Sequence, residues 1–137
     1  MRHYVLDACA VIAFINDEEG AEIIEKILVG AVKKENKVII NKINLLEIYY
    51  NFAREYDSET LKEAYYRIIS LPMEINDLLN DDLFYEAARL KATYRISLAD
   101  SIALAEASIR KAELLTSDHH EFDIVEANEK IRFRWFR

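Results

Sequence analysis

Residues 97–118 read Ser-Leu-Ala-Asp-Ser-Ile-Ala-Leu-Ala-Glu-Ala-Ser-Ile-Arg-Lys-Ala-Glu-Leu-Leu-Thr-Ser-Asp. Ser97 to Lys111, rich in Ala and Ile, predicts a helix. Glu113-Leu114-Leu115-Thr116 predicts a short strand, and Asp118 to Ala127 a short helix. The same alternation runs back to the N-terminus. Tyr4-Val5-Leu6 is a strand candidate, and Val11 to Ile15 continues apolar into a helix. Asp17 to Lys33 predicts a helix, because Ile24, Ile27, Leu28, Ala31 and Val32 recur at helical spacing. Lys37-Val38-Ile39-Ile40 is short and β-branched, a second strand. Ile43 to Tyr56 and Ser58 to Ser70 predict two helices, broken at Asp57-Ser58, with Ser58-Glu59-Thr60-Leu61 as the capping signal. Pro72 ends that pair, and Met73-Glu74-Ile75 is a third strand candidate. Asn80 to Tyr94 places Leu83, Ala87, Leu90 and Tyr94 on one helical stripe. Ile131 to Phe136 alternates apolar and charged residues, which suits an edge strand. Strands separated by helices need crossover connections, so the pattern predicts an α/β fold with a mostly parallel sheet and helices on both faces.

A chain of 137 residues can bury one sizeable core, and a single domain spanning 1–137 is expected. Its 2 Gly and 1 Pro argue against long flexible linkers, and its 1 Cys excludes an internal disulfide framework. No apolar run reaches the ~18 residues of a membrane span. The acid at Asp7 comes too early for a signal peptide, so a cytoplasmic location is expected. Lys plus Arg total 18 against 25 Asp plus Glu, a net charge of −7, which argues against nucleic-acid binding by broad phosphate neutralisation. It does not argue against a nuclease, because a site gathering carboxylates is acidic until metal ions fill it. It also favours a basic partner chain.

In an open α/β sheet, functional groups gather beyond the carboxyl ends of the strands. Asp7 and Asp118 each follow a predicted strand, Glu47 lies early in the helix after the second strand, and Asp100 lies in the first turn after Ser97. Four acids from distant segments can thus converge at one sheet edge. Each also has a plainer reading. Asp7 suits a helix cap near Ala8, Asp100 a capping box with Ser97, and Asp118 a cap with Glu121. Glu47 is flanked by Leu45, Leu46, Ile48, Tyr49 and Tyr50, where an unpaired carboxylate is costly, so a metal ion or a basic side chain should neutralise it. Together the four suit Mg²⁺ or Mn²⁺, hard cations that prefer carboxylate oxygen. There is no nucleophile elbow, phosphate-binding Gly loop or Cys-rich metal motif to compete.

Tyr4-Val5-Leu6-Asp7, Ile43-Asn44-Leu45-Leu46-Glu47, Ile96-Ser97-Leu98-Ala99-Asp100-Ser101-Ile102-Ala103 and Leu115-Thr116-Ser117-Asp118 together resemble the PIN-domain nucleases, and among them the VapC-type toxins of toxin–antitoxin pairs. The resemblance spans essentially the whole chain. It implies a three-layer α/β/α fold, Mg²⁺ or Mn²⁺ at Asp7, Glu47, Asp100 and Asp118, endonucleolytic cleavage of RNA, a cognate VapB-type antitoxin and a homodimer. Asp7, Glu47 and Asp100 would be core ligands, with Asp118 supporting the metal or its water. Asn44 and Thr116 either orient these acids or serve structure alone. Many relatives carry Ser or Thr within two residues after the first acid; Ala8 and Cys9 stand there in this chain, and Cys9 reads as a small apolar residue.

The remaining readings are simpler. His119-His120 suits a solvated helix start. Lys91 and Arg95 suit either RNA contact or a solvated face. Arg132, Arg134 and Arg137, interleaved with Phe133, Trp135 and Phe136, suit a charged edge strand more than a base-stacking tail. Tyr49, Tyr50, Tyr65 and Tyr66 suit a groove for an antitoxin helix or mutual packing. Two rival functions stay open: a PIN-fold regulatory binding module with little activity, and phosphoryl transfer through Asp7. The latter lacks the second acid it needs near Ala8-Cys9.

Overall fold

The computed structural model describes all residues from Met1 to Arg137. In chain order it contains β1 (Arg2–Leu6), α1 (Ala8–Ile15), α2 (Ala21–Val32), β2 (Asn36–Asn41), α3 (Lys42–Ala53), α4 (Ser58–Ile69), β3 (Glu74–Asn76), α5 (Asp81–Thr93), α6 (Leu98–Arg110), β4 (Glu113–Thr116), α7 (His119–Asn128) and β5 (Arg132–Trp135). The sheet has the order β3-β2-β1-β4-β5, and every pairing is parallel. Every carboxyl end therefore opens on the same edge.

Side chains alternate across a strand, so each strand feeds two cores. Tyr4, Leu6, Val38, Ile40 and Leu115 pack with Val11, Ile24, Leu45, Ile48 and Ile68 of α1 to α4. Val5, Ile39 and Leu114 pack with Leu83, Leu90, Leu104, Phe122 and Val125 of α5 to α7. The result is helices on both faces of the sheet, the three-layer α/β/α arrangement.

The helix starts are set by local hydrogen bonds. Asn41, Asp57, Asn80 and Ser97 accept from the backbone N–H groups of Ile43, Thr60, Leu83 and Asp100, at 2.8, 2.8, 3.0 and 3.1 Å. The cap of α4 is therefore Asp57, not Ser58 as predicted. The predicted helix at Asp17 begins four residues later, because Asp17 (φ 50°) and Gly20 (φ 90°) are left-handed. Val32, expected on the core stripe of α2, is 68% exposed, since the helix ends there. α3 stops at Ala53, short of the predicted Tyr56.

Gly20 meets the chain after β5. A Cβ at Gly20 would stand 2.1 Å from the Phe136 carbonyl oxygen, and Phe136 is itself buried. Positive φ and close backbone approach both demand glycine here. Gly20→Ala should cost about 2 kcal/mol or more and lower the melting temperature by several degrees, read by thermal unfolding.

Candidate metal centre and nuclease site

Asp7 emerges from β1 as the cap of α1, with Oδ1 accepting from the Ala10 N–H at 2.9 Å. Asp118 follows β4 and caps α7, accepting from the Glu121 N–H at 3.2 Å. Because β1 and β4 are parallel neighbours, with Leu6 opposite Leu115, both acids stand at the same end of the sheet. Asp100 lies in the first turn of α6, and Glu47 in α3, directly after β2. Asn44 joins these two helices by donating from Nδ2 to the Ala99 carbonyl at 3.0 Å.

The four carboxylates share one electrostatic field. Burial pushes the Asp7 carboxyl above its ordinary range, against hydrogen bonds from Thr116, Cys9 and Ala10, and the Asp118 charge adds to the rise. Burial, then the charges of Asp7 and Asp118, raise Glu47. Burial raises Asp100 to about 7, with Asp7, Asp118 and Glu47 all contributing. Asp7 is 3% exposed; the other three are half-buried, so Glu47 is less enclosed than its apolar neighbours in sequence suggest. The ion pairs of the chain involve none of the four. As placed, no three acidic, histidine or cysteine side chains of the chain stand close enough together to hold a metal ion.

The plainer readings hold for Asp7 and Asp118; for Asp100 only the Ser97 half of the capping box forms, and no basic side chain pairs with Glu47. Asp7 and Asp118 are helix caps, and Asp100 sits in the first turn of a capped helix. Three helix N-termini consequently face the acid cluster, and their partial positive charge offsets part of its repulsion.

The PIN domain family model matches residues 4–128. The chain belongs to the PIN domain family. No match is found among curated proteins. Among solved structures, this PIN domain is similar to DNA-bound VapBC from Salmonella typhimurium, at 19% identity and TM-score 0.77, covering 100% of both chains. It is similar to VapBC2 from Rickettsia felis bound to a DNA fragment from their promoter, at 16% identity and TM-score 0.75, covering 97% of this chain and 98% of that one. It is also similar to VapBC-1 from nontypeable Haemophilus influenzae, at 15% identity and TM-score 0.72, covering 98% of each chain.

Cys9 corrects the sequence reading. Its thiol is not a mere apolar filler: Sγ donates to Asp7 Oδ1 at 3.1 Å and lies 3.6 Å from both Thr116 Oγ1 and Ser117 Oγ. Burial, followed by the Asp7 charge, pushes the thiol up to about 12, so it stays protonated and able to donate. Thr116 Oγ1 accepts from the Asp118 N–H at 3.1 Å and lies 3.6 Å from the Cys9 thiol. Asn44 bonds no carboxylate of the cluster; it pins Ala99, and its buried Oδ1 has no partner in the chain. Lys91 and Arg95 are exposed.

The sequence reading also missed a buried polar knot beside the site. Asn41 and Asn76, paired across β2 and β3, both donate to Glu106 Oε1, while Arg110 Nε donates to Glu106 Oε2 at 2.8 Å. The signal was an Asn at the end of each strand and a Glu four residues before an Arg in an otherwise apolar helix.

Because the folded-state pKa of Asp100 lies above its unfolded value, the folded chain holds that proton more tightly. This stabilisation is complete below the ordinary carboxylate range and is lost as pH rises through about 7. Chelator-treated protein should therefore melt at lower temperature near pH 8 than near pH 5. Asp100→Asn should flatten that slope and raise the melting temperature near pH 8 by a few degrees. An unchanged slope would contradict the assignment.

Proposed function

We propose that this PIN domain is a Mg²⁺- or Mn²⁺-dependent endoribonuclease, the cytoplasmic toxin half of a VapBC-type toxin–antitoxin pair. The observation that carries the reading is that Asp7 and Asp118 follow the neighbouring parallel strands β1 and β4, Glu47 and Asp100 lie on two helices joined by Asn44, and none of the four is ion-paired within the chain. Their hard oxygen donors fit Mg²⁺ or Mn²⁺, and the unpartnered Asn44 Oδ1 beside Asp100 leaves a buried acceptor for a bound water. A divalent ion held there supplies Lewis-acid stabilisation to the phosphoryl group and lowers the pKa of water.

The residues of the chain do the positioning. The Ala10 N–H and the Cys9 thiol fix Oδ1 of Asp7, and so the orientation of a carboxylate that would help hold the ion. Thr116 accepts from the Asp118 N–H and lies against the Cys9 thiol that bonds Asp7, which links the two acids. Asn44 sets the first turn of α6 against α3, and hence Asp100 near Glu47. Desolvation favours occupancy, since the buried Asp7 and the half-buried Glu47, Asp100 and Asp118 gain from a strong counter-charge. The Cys9 bond to Asp7 supports activity over the regulatory-module reading, because the thiol donates where relatives use a hydroxyl.

Partners follow from surface chemistry. Tyr49 and Tyr65 meet edge to face at 5.3 Å and, with Lys42, Leu45 and Leu46, line a cavity of about 260 Å³ between α3 and α4. That groove suits the apolar face of an antitoxin segment, and the net charge of −7 suits a basic one. The structural neighbours being VapBC complexes supports the same partner class. A second apolar face joins Leu79, Leu98 and Ile102, lining cavities of about 450 and 420 Å³, with Phe84 exposed at its margin. A patch of this size suits a homodimer contact.

Purified protein should cleave single-stranded RNA with Mg²⁺ or Mn²⁺ and stop with chelator. Asp7→Asn and Asp100→Asn should each lower the rate at least about a hundredfold while staying folded by circular dichroism. Full cleavage by either variant would refute the site. Phe84→Glu should turn a dimer into a monomer in light scattering, with helix content unchanged.

A further inference from the structure

His119 opens α7 and is exposed, as the sequence reading placed it, but its ring is held at several points. Its Nδ1 lies 2.8 Å from Asp123 Oδ1 and its Nε2 lies 2.9 Å from the Arg137 carbonyl. One face of the ring stacks on Trp135, with centroids 3.8 Å apart and planes 12° apart. Trp135 stacks in turn on Phe133, at 5.3 Å and 10°, and its Nε1 donates to Glu126 at 3.1 Å. His119 is thus the last ring of a three-ring stack. Its side chain nevertheless keeps 49% of its surface exposed.

Both ring nitrogens and one face are engaged, which leaves the outer face as the free interacting surface. An exposed side chain pinned at three points has already paid the ordering cost of binding. Arg137, whose carbonyl holds Nε2, donates from Nη2 to Ser117 Oγ at 3.2 Å, and Ser117 Oγ lies 3.6 Å from the Cys9 thiol that bonds Asp7, so a run of contacts links the pinned ring to the acids at the carboxyl edge of the sheet. A nucleobase is the flat apolar partner that such a ring accepts, and stacking serves any base.

Building on the nuclease reading above, we propose that the outer face of the His119 imidazole is the stacking platform for an RNA base flanking the cleaved phosphodiester. His119 then sets substrate affinity and register, while the acids carry the chemistry. A purely structural role, tying β5 to α7, would make the same hydrogen bonds but would leave substrate affinity indifferent to the ring.

The test is steady-state cleavage, with Mg²⁺, of a single-stranded RNA oligonucleotide carrying the mapped cut site. His119→Ala should raise KM roughly five- to tenfold with kcat little changed. His119→Phe, which loses both hydrogen bonds but keeps a ring over Trp135, should hold KM near the wild-type value. An abasic nucleotide beside the cut should raise the wild-type KM by a similar factor and cost His119→Ala nothing further. An unchanged KM in His119→Ala, or an abasic penalty that persists in that variant, overturns the platform and leaves the nuclease reading standing. Wild-type protein that cuts no RNA overturns both.

Discussion

Four carboxylates held at one sheet edge without a counter-ion of their own chain are the constraint around which this molecule is arranged. Their mutual repulsion and the desolvation of Asp7 oppose folding. The parallel sheet brings the strand ends together, three helix N-termini turn partial positive charge toward them, and a thiol and a backbone N–H bond Asp7. Neither of these donors carries a full charge, so the chain itself neutralises its acids only in part.

Much of the fold was legible in the sequence because its elements are short and their periodicities differ. Tyr4-Val5-Leu6, Val38-Ile39-Ile40 and Leu114-Leu115 are buried on both faces and read as continuous apolar runs, as parallel strands should. The failures were at boundaries. Backbone conformations such as the left-handed Asp17 leave little trace in residue type, so the start of α2 was misplaced. The cap of α4 was assigned to Ser58 because Asp57 and Ser58 are both good caps, and only geometry separates them.

The site was legible in part. The acids stood out because each follows or opens a predicted element, and the PIN resemblance grouped them. What stayed hidden depends on contacts distant in sequence. Cys9 reads as apolar until Asp7, Thr116 and Ser117 surround it. Glu106 reads as one acid among many on a helix, and its burial at 2% exposure becomes intelligible only when two strand-end asparagines and Arg110 close around it. His119 is solvated as it reads, but its stacking on Trp135 stayed hidden because the two lie sixteen positions apart.

The two margins of the sheet differ from its centre in a way that limits how other chains attach. β3 has three residues, and Lys37 and Arg110 clamp its Glu74. β5 has four, with Arg132 and Arg134 at alternate positions, Arg132 turned onto the Lys111 carbonyl. Short margins studded with charge are poor templates for backbone-to-backbone addition. Extended peptides therefore gain little by zipping alongside, and the molecule is protected from ribbon-like self-association. Recognition is left to its helical surfaces, where the grooves are apolar and side-chain shape, rather than main-chain pairing, selects what fits.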